Sequence, residues 1–304
     1  MPLLFHRLHA SVVLTTHPLA ATFVSPCPAV AVILDVFPLH FPGQFPRLVP
    51  LYYRTVFRSI ARRRRLIAIS EATKRDAIHF LQVRPETVTV THLAADEHFR
   101  PVPPGPVRSA VLARYGVTDP YVLYHGNKRP HKNVIGLVRA FALIQKSMPG
   151  LRLVITGRDV PGDRERDQTE IRREADKLGV IGRIVFTGYV DDRDLPSLYS
   201  AAQVTAVPSL LEGFGLPALE SMACGTPVVA SRAGSLPEVV GDAGLLIDPG
   251  QTDALAEAIL QVVADREQRA RLAERAIRRA AQFSWSNTAR MTLEVLQESA
   301  SRRS

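Results

Sequence analysis

The 304-residue sequence has few of the residues from which disulfide-bonded or zinc-stabilised folds are built. Its two cysteines, Cys27 and Cys224, are far apart and in no paired spacing, so they indicate neither a disulfide framework nor a zinc cluster. No apolar run reaches the roughly 18 residues that a membrane-spanning helix needs, because Pro, His and Thr interrupt every candidate. A composition of 46% hydrophobic and 22% charged residues excludes a disordered or collagen-like chain. These features predict a cytoplasmic protein of about two globular domains.

Acidic residues are scarce relative to basic ones in the first third of the chain. Residues 1–120 contain 14 Lys and Arg against 7 Asp and Glu, whereas residues 121–304 contain 24 against 22. The basic excess is concentrated between Arg54 and Arg65. The apolar residues around it are spaced as on one face of a helix: Leu51, Val56, Phe57 and Ile60. This basic amphipathic helix has two open interpretations: a solvated surface, or a contact with a phosphorylated acceptor or with anionic lipid at the inner face of the membrane.

A proline-rich segment, RPVPPGPV at residues 100–107, separates the mixed N-terminal third from a longer and more regular part. We therefore expect a partial N-terminal domain over residues 1–105 and a second domain over residues 106–285. A C-terminal helix and tail are expected over residues 286–304.

Short apolar runs and helical periodicity alternate after this break. The predicted strands cover residues 121–125, 151–156, 183–188, 204–209, 227–231 and 243–248. The predicted helices cover residues 134–148, 170–178, 194–202, 216–223 and 252–264. Such alternation predicts a parallel, doubly wound sheet, in which ligands bind where the strands end.

The N-terminal third shows a shorter version of the same pattern. Strands are predicted within residues 28–41, 65–70 and 87–92, and Ser70 is predicted to be the N-cap of a helix over residues 70–83. About three strands form only part of a sheet. Because an incomplete sheet exposes unpaired backbone groups and apolar faces, we expect self-association.

The segment PSLLEGFGLPALESMACGTPVVAS, residues 208–231, has the pattern of a ligand site. Glu212 lies in a loop after a predicted strand, Gly213, Phe214 and Gly215 follow, and a helix beginning near Leu216 carries Glu220. Glycines allow close approach of backbone N–H groups, and a helix N-terminus favours an anion. A carboxylate on each side suits paired sugar hydroxyls. The pattern fits a nucleotide-sugar, or a surface loop with an acidic helix start.

The same segment, with Glu212 and Glu220 eight positions apart, resembles the E-x7-E motif of the retaining glycosyltransferases of family 4. Further stretches match that family in order: YHGNKRPHKNVIGLVRAF, LVITG, IVFTGYVDDRDLPSLYSAA, AGSLPEVVGDAGLLIDP and FSW. The resemblance implies an α/β fold of the GT-B type, with two Rossmann-like domains facing a cleft. It also implies a metal-independent hexosyltransferase that takes its sugar from a nucleoside diphosphate sugar. The acceptor would be a glycan or a lipid-linked glycan, and the PHKN sequence favours mannosyl transfer from GDP-mannose.

The resemblance also assigns roles to individual residues. Glu212 would hold the donor sugar hydroxyls and Glu220 those of the ribose, while Lys132 would neutralise the leaving diphosphate. The glycine-rich backbone would bind the diphosphate, and Tyr189 to Asp191 would run along the base. The full set of implied donor-binding positions is Gly126, Asn127, Lys128, Arg129, Lys132, Gly157, Tyr189, Val190, Glu212, Gly213, Phe214, Gly215, Leu216 and Glu220, with Asp35 as a catalytic residue beside Glu212 and Lys132.

Three departures from the family pattern are visible. Family members often have an arginine where this chain has Asn127, so Lys128 or Arg129 would replace it. The family's His-Asp pair appears here as Leu34-Asp35. The N-terminal domain is short, which leaves open a natural variant, a misassigned start codon or a catalytically inactive protein that still binds nucleotide-sugar.

Other classes of function are less well supported by the sequence. Asp192 and Asp194 form a D-x-D pattern, but acids at a helix start are the simpler interpretation, and no metal site is predicted. There is no G-x-S-x-G segment to support a Ser/His/Asp triad. Isolated histidines such as His40, His92 and His125 are expected to be structural. The basic helix lacks interleaved aromatic residues, so nucleic-acid binding remains a minor alternative.

Overall fold

The computed structural model describes residues 10–16, 27–157 and 165–301, with side chains from residue 168 onward in the last range. The chain divides into two compact units. One contains the described residues up to Leu93 together with those from Ser284 onward, and the other spans Ala94–Phe283. Each unit has its own parallel β-sheet, so the predicted α/β class is confirmed.

The first unit contains a four-stranded sheet in the order β1-β2-β3-β4. Its strands are β1 (Val13–Thr15), β2 (Ala29–Ile33), β3 (Arg65–Ala68) and β4 (Val88–Val90). All neighbours are parallel, and Val30 of β2 pairs with Arg65 of β3. Strand β1 is one more strand than expected. Periodicity missed it because it is three residues long and only partly buried.

Short helical segments cover one side of the described part of this sheet. They are α1 (Phe37–His40), a 3₁₀ turn (Pro42–Gln44), α2 (Leu48–Tyr52), a π-helical segment (Tyr53–Phe57), α3 (Arg58–Ala61), α4 (Glu71–Asp76), a second π-helical segment (Ala77–Leu81) and a 3₁₀ turn (Pro85–Thr87). Ser70 is the N-cap of α4, as predicted, and its Oγ accepts the N–H of Thr73 at 2.9 Å. Ile33, Phe57 and Leu81 lie fully buried in the core between these helices and the sheet.

The C-terminal helix α13 (Trp285–Ser301) belongs to this first unit and not to a separate tail. Its Thr288 Oγ1 donates a hydrogen bond to the His92 carbonyl at 2.6 Å. Val295 is buried against Val30 and Ile67, on the side of the sheet away from Phe57. An apolar stripe on α13 therefore covers the second face of the sheet.

The second unit contains a six-stranded parallel sheet in the order β10-β9-β8-β5-β6-β7. Its strands are β5 (Tyr121–His125), β6 (Arg152–Thr156), β7 (Ile184–Gly188), β8 (Val204–Val207), β9 (Val228–Ser231) and β10 (Gly244–Ile247). All six coincide with predicted strands to within two residues at each end. The order reverses direction after β5, which pairs with both β6 and β8. This reversal is the point at which parallel α/β sheets usually bind ligands.

The helices of this unit follow the strands in alternation. They are α5 (Pro106–Arg114), α6 (Val134–Ile144), α7 (Glu165–Lys177), α8 (Leu195–Ala201), α9 (Leu216–Ala223), α10 (Leu236–Val240), α11 (Thr252–Ala264) and α12 (Arg266–Ala280), with 3₁₀ turns at Pro130–Lys132 and Ile181–Arg183. Leu137, Phe141 and Ile259 are buried between α6, α11 and the sheet. Among the helices that the structure describes, none combines the length and apolar character needed to cross a bilayer.

The division between the units lies before Ala94, not after residue 105 as the proline-rich segment predicts. The intervening residues pack on the second unit. Phe99 contacts the Tyr199 ring, with centroids 6.0 Å apart, and the Val102 N–H donates to Ser200 Oγ at 2.9 Å. Prolines therefore mark an extended segment held against α8, while the change of unit occurs just upstream of it.

Candidate functional site

Two predicted site residues, Lys132 and Glu212, are in direct contact in the second unit. Lys132 Nζ donates to both carboxylate oxygens of Glu212, at 2.7 and 2.8 Å. Both side chains are largely shielded from solvent, with exposed fractions of 14% and 7%. Ser209 Oγ donates to Glu212 Oε1 at 2.7 Å, so this carboxylate is fixed in one orientation.

The two loops that carry this ion pair are joined through their backbones. The turn Pro130–Lys132 follows β5, and the segment with Glu212 follows β8, its neighbour in the sheet. The Leu210 N–H donates to the His131 carbonyl at 2.7 Å. On the other side, the N–H and Oγ of Ser235 both donate to the Glu212 carbonyl at 3.2 Å. The ion pair is thus placed by the sheet order, at the point where the order reverses.

The glycine-rich segment leads from Glu212 into helix α9. Gly215 adopts φ +99° as the N-cap of α9, and a Cβ at this position would lie 2.8 Å from Leu236. Only glycine therefore fits without backbone strain and a shift of the buried Leu236 side chain. The first N–H groups of a helix have no partners within that helix, and the helix dipole adds positive potential there. The anion site at Gly213 to Leu216 stays a prediction.

Glu220 lies one turn further along α9 and is held by a tyrosine. The buried Tyr199 hydroxyl donates to Glu220 Oε2 at 2.9 Å. Burial raises the pKa of Glu220 to about 7; the Tyr199 hydrogen bond and nearby His98 lower it, and the charge of Asp192 raises it. The carboxyl is therefore poised to gain or lose a proton near neutrality.

Two predicted site residues, Gly126 and Gly157, lie close to Gly188 where β5, β6 and β7 end. The Gly126 N–H donates to the Thr156 carbonyl at 3.1 Å, and the Gly157 N–H donates to the Gly188 carbonyl at 2.9 Å. Gly157 adopts φ +128°, and a Cβ there would overlap the Gly126 carbonyl oxygen. These glycines allow two loops to pass close to each other beside the site.

The structure distinguishes the two cations that follow Asn127. Lys128 is 8% exposed, and its Nζ donates to the Gly157 carbonyl at 2.9 Å. Arg129 is partly exposed, and among the described residues it has no ion-pair partner. Asn127 accepts the Arg129 N–H through its Oδ1 at 3.3 Å. Lys128 thus holds this loop to the segment that follows β6, and a ligand role for either cation stays a prediction.

The remaining predicted residues differ in accessibility. Tyr189 is 49% exposed, whereas Val190 is 2% exposed and packs in the core beside α8. Phe214 is 3% exposed and packs edge-on against Phe283. Their contacts with a ligand would therefore be made by backbone groups at Val190 and Phe214, and by backbone or ring at Tyr189.

Asp35 lies in the first unit, directly after β2. Its Oδ1 accepts the N–H of Phe37, the first residue of helix α1, at 3.1 Å. Burial raises the pKa of Tyr53 to about 12, with a further contribution from the Asp35 charge. The catalytic role of Asp35 stays a prediction.

The D-x-D pattern needs a correction. Helix α8 begins at Leu195, so Asp192 precedes it and is not in its first turn. Asp194 is at the N-cap position, but its Oδ2 accepts hydrogen bonds from Arg114 at 2.7 Å and Tyr115 at 2.8 Å instead of capping the helix. In the described ranges there is no group of three or more His, Cys, Asp or Glu side chains arranged to hold a metal.

Three residues near the site were not identified from the sequence. Ser209 and Tyr199 orient Glu212 and Glu220, respectively. His125, expected to be structural, has a buried Nδ1 without a hydrogen-bond partner in the part of the chain that the structure describes. Burial lowers the pKa of His125 to about 4, so its ring is neutral at physiological pH. Serine and tyrosine carry no signal in a motif search, because their partners are set by the fold.

The second unit therefore offers a lysine paired with a carboxylate, a glycine-rich helix start and a second carboxylate one helix turn away. Together these groups can bind a diphosphate flanked by hydroxyl-bearing rings. No side chain among them is arranged as a nucleophile activated by a general base.

Comparisons with known proteins show which family the chain resembles in sequence. The family model of glycosyl transferases group 1 matches residues 114–279, more than half of the chain. O-antigen chain mannosyltransferase B of Escherichia coli is 35% identical over 232 residues, which are 76% of this chain and 59% of that protein. D-inositol 3-phosphate glycosyltransferase of Salinispora tropica is 35% identical over 250 residues, 79% of this chain and 52% of that protein. The chain thus spans between half and three fifths of these relatives.

Solved structures show the same fold. Anabaena HepE in complex with UDP-glucose superimposes with a TM-score of 0.82 at 25% identity, covering 95% of this chain and 79% of that one. Sucrose-phosphate synthase from Thermosynechococcus elongatus gives a TM-score of 0.82 at 24% identity, over 97% of this chain and 75% of that one. The predicted GT-B type, with two Rossmann-like parallel-sheet domains, is confirmed. The chain belongs to the glycosyl transferases group 1 family.

Proposed function

We propose that this chain is a retaining hexosyltransferase that moves a sugar from a nucleoside diphosphate sugar to a glycan or lipid-linked glycan. Mannosyl transfer from GDP-mannose is the favoured reaction. The observation that carries the proposal is the Lys132–Glu212 pair, fixed by Ser209 beside the start of α9. The sequence similarity to O-antigen chain mannosyltransferase B supports the choice of sugar.

Lys132 has the chemistry needed to assist departure of the diphosphate. Its ammonium group has three donors, of which two are used on Glu212. The third remains for a phosphate oxygen, where negative charge grows as the bond to the sugar breaks. Because Lys132 and Arg129 supply positive charge, we propose that transfer needs no divalent cation.

The two carboxylates have separate roles in the proposal. Glu212 accepts hydrogen bonds from the sugar hydroxyls, and Glu220 accepts them from the ribose. For retention, the acceptor oxygen bonds to the anomeric carbon on the face from which the diphosphate leaves, and a donor phosphate oxygen takes the acceptor proton. This route needs no protein nucleophile, in keeping with the side chains present.

A transfer assay with purified chain tests the proposal. GDP-mannose, UDP-glucose and ADP-glucose are supplied with lipid-linked and free glycan acceptors, with and without EDTA. We expect transfer or slow donor hydrolysis with one donor, unaffected by EDTA and abolished in Glu212→Gln. Glu267→Gln, on the exposed face of α12, is the matched control and should retain full activity.

Each of the other possible outcomes would contradict a different part of the proposal. Saturable nucleotide binding without any turnover would support the alternative of a catalytically inactive nucleotide-sugar-binding protein, which the replacement of the family's histidine by Leu34 also favours. Activity lost with EDTA would contradict metal independence. Activity that survives Glu212→Gln would show that Glu212 has another role.

A further inference from the structure

One face of a helical run in the first unit is left uncovered by the residues that the structure describes. The run consists of α2, the π-helical segment Tyr53–Phe57 and α3. Its inner face is buried in the core through Tyr53, Phe57 and Ile60, which are at most 8% exposed. The outer face carries residues at intervals of three and four: Leu48, Leu51, Arg54, Arg58 and Arg62. We call this set the arginine–leucine face.

Arginines dominate the outer end of this face. Arg54, Arg58, Arg62 and Arg63 line an open depression of about 510 Å³, together with Thr55 and Ser59. In the described ranges none of these four guanidinium groups has an ion-pair partner, whereas Arg65 is paired with Glu298 at 3.0 Å. Four cations around one depression repel each other, so an anion there is favoured.

The surrounding sequence reinforces this positive potential. Between Asp35 and Glu71 the chain has seven arginines and not one acidic residue. Side chains nearby in sequence therefore offer no carboxylate to neutralise the depression. A field from several like charges extends about one Debye length, roughly 8 Å at physiological salt, and steers anionic surfaces towards it.

Two leucines on the same face are in water. Leu48 is 77% exposed and Leu51 is 54% exposed, and Leu51 precedes Arg54 by three residues. An exposed leucine gains free energy when its side chain enters an apolar phase. A solvated, purely electrostatic site would not need them. Basic residues next to exposed leucines on one helix face are typical of helices that lie in a membrane interface.

We propose that the arginine–leucine face docks the protein on anionic phospholipid. In this arrangement the arginines contact lipid phosphates, and Leu48 and Leu51 enter the boundary between headgroups and acyl chains. The proposal concerns a surface of the first unit and does not depend on the donor site in the second.

Vesicle co-sedimentation of the whole chain tests this docking. We expect binding to phosphatidylcholine vesicles that contain about a quarter phosphatidylglycerol, falling as salt rises, and little binding to phosphatidylcholine alone. The variant Arg54→Gln/Arg58→Gln/Arg62→Gln should lose affinity on the order of 100-fold. The variant Leu48→Ser/Leu51→Ser should bind more weakly than wild type while keeping its salt dependence.

A charge-matched control separates the site from net charge. The variant Arg271→Gln/Arg275→Gln/Arg278→Gln removes three exposed arginines from α12 in the second unit. It should bind vesicles within about threefold of wild type if the face, and not the overall charge, is responsible. All variants should unfold at nearly the wild-type temperature, because the substituted side chains are exposed or partly exposed.

Three outcomes would overturn the proposal. The first is equal loss in the α12 control, which would indicate a nonspecific charge effect. The second is equal binding to neutral vesicles. The third is an absence of vesicle binding together with binding of duplex DNA or of soluble inositol phosphate. If that binding depends on the arginines but is unchanged in Leu48→Ser/Leu51→Ser, the face is a polyanion site that does not bind membranes.

Discussion

The two units carry their charged groups in opposite ways. In the second unit, Glu212 and Glu220 are enclosed, and each is held by a specific partner, Lys132 or Tyr199. In the first unit, Arg54 and Arg58 face an open depression, and within the described residues neither has an ion-pair partner. An enclosed charge can orient a small ligand, whereas an open cluster acts through its field at distance.

The difference also determines how a substitution changes the free energy of unfolding. Removal of one partner of an enclosed pair leaves a buried charge without compensation. Removal of one member of an exposed like-charge cluster relieves repulsion. Stability measurements can therefore test the comparison even before a ligand is known.

The largest expected effect follows loss of the lysine in the enclosed pair. Lys132→Met leaves the Glu212 carboxylate, 7% exposed, with only Ser209 as a side-chain partner among those described. We expect the free energy of unfolding to fall by about 3–5 kcal/mol, measured by urea denaturation. Arg271→Met, which breaks an exposed pair with Glu267, is the control and should cost under about 1 kcal/mol.

A second substitution separates charge from packing at this position. If the loss arises from the uncompensated carboxylate, Lys132→Met/Glu212→Gln should recover most of the stability, because no charge is then buried. A double variant no more stable than Lys132→Met would mean that the lysine stem contributes packing, and that the pair is not the source of the effect.

The next largest effect concerns the strand ends beside the site. Gly157→Ala introduces a Cβ that overlaps the Gly126 carbonyl oxygen, at a residue with φ +128°. We expect a loss of more than about 1 kcal/mol in the free energy of unfolding. Gly150→Ala has open space around the new Cβ and should be neutral or slightly stabilising. Equal effects of both would show that the two loops adjust their separation without cost.

A smaller effect depends on pH through Glu220. Because burial raises the pKa of this carboxyl from 4.5 to about 7, the folded chain holds the proton more tightly than the unfolded chain. Glu220 therefore contributes stability below its unfolded pKa, and that contribution is lost as pH rises through about 7. Nucleotide binding should show the opposite trend, since only the carboxylate accepts hydrogen bonds from two ribose hydroxyls.

The expected change in nucleotide affinity is about tenfold between about pH 6 and about pH 8, because a pKa near 7 changes the ionised fraction by that factor. Titration calorimetry with GDP at both pH values measures it. Tyr199→Phe removes the hydrogen bond to Glu220 and should move the transition to higher pH. Glu220→Gln should bind weakly with no such transition. A wild-type affinity that does not change with pH would contradict the role of Glu220.

Much of the second unit was predictable from its sequence. Runs such as YVLYH and VVAS are strands because apolar residues there are buried on both faces of a parallel sheet. Glycine precedes α9 because Gly215 adopts φ +99°, a conformation that other residues rarely adopt. The short strand β1 and the packing of the C-terminal helix α13 in the first unit were not predictable. Strand β1 depends on its pairing with β2, and α13 depends on packing of Val295 against Val30 of β2, which lies far from it in sequence.

The site was also predictable only in part, because some of its contacts join residues that are far apart in the sequence. Local spacing indicated the glycines and the two glutamates, because they lie in one segment of 24 residues. The contact of Lys132 with Glu212 joins residues 80 apart in the chain and requires the pairing of β5 with β8. Tyr199 reaches Glu220 only because α8 packs beside α9, which no periodicity reveals.

The smallest expected effect has the opposite sign to the first. Arg58 has an arginine four residues away on either side, Arg54 and Arg62, and such like-charge neighbours cost about 0.2–0.5 kcal/mol each. Arg58→Gln should therefore raise the free energy of unfolding by a few tenths of a kcal/mol at low salt, and the gain should vanish at high salt. Arg290→Gln in the same unit loses an attractive contact with Glu294 and should be slightly destabilising. If Arg58→Gln destabilises at low salt, a partner holds this guanidinium in solution, and the contrast between the two units does not extend to it.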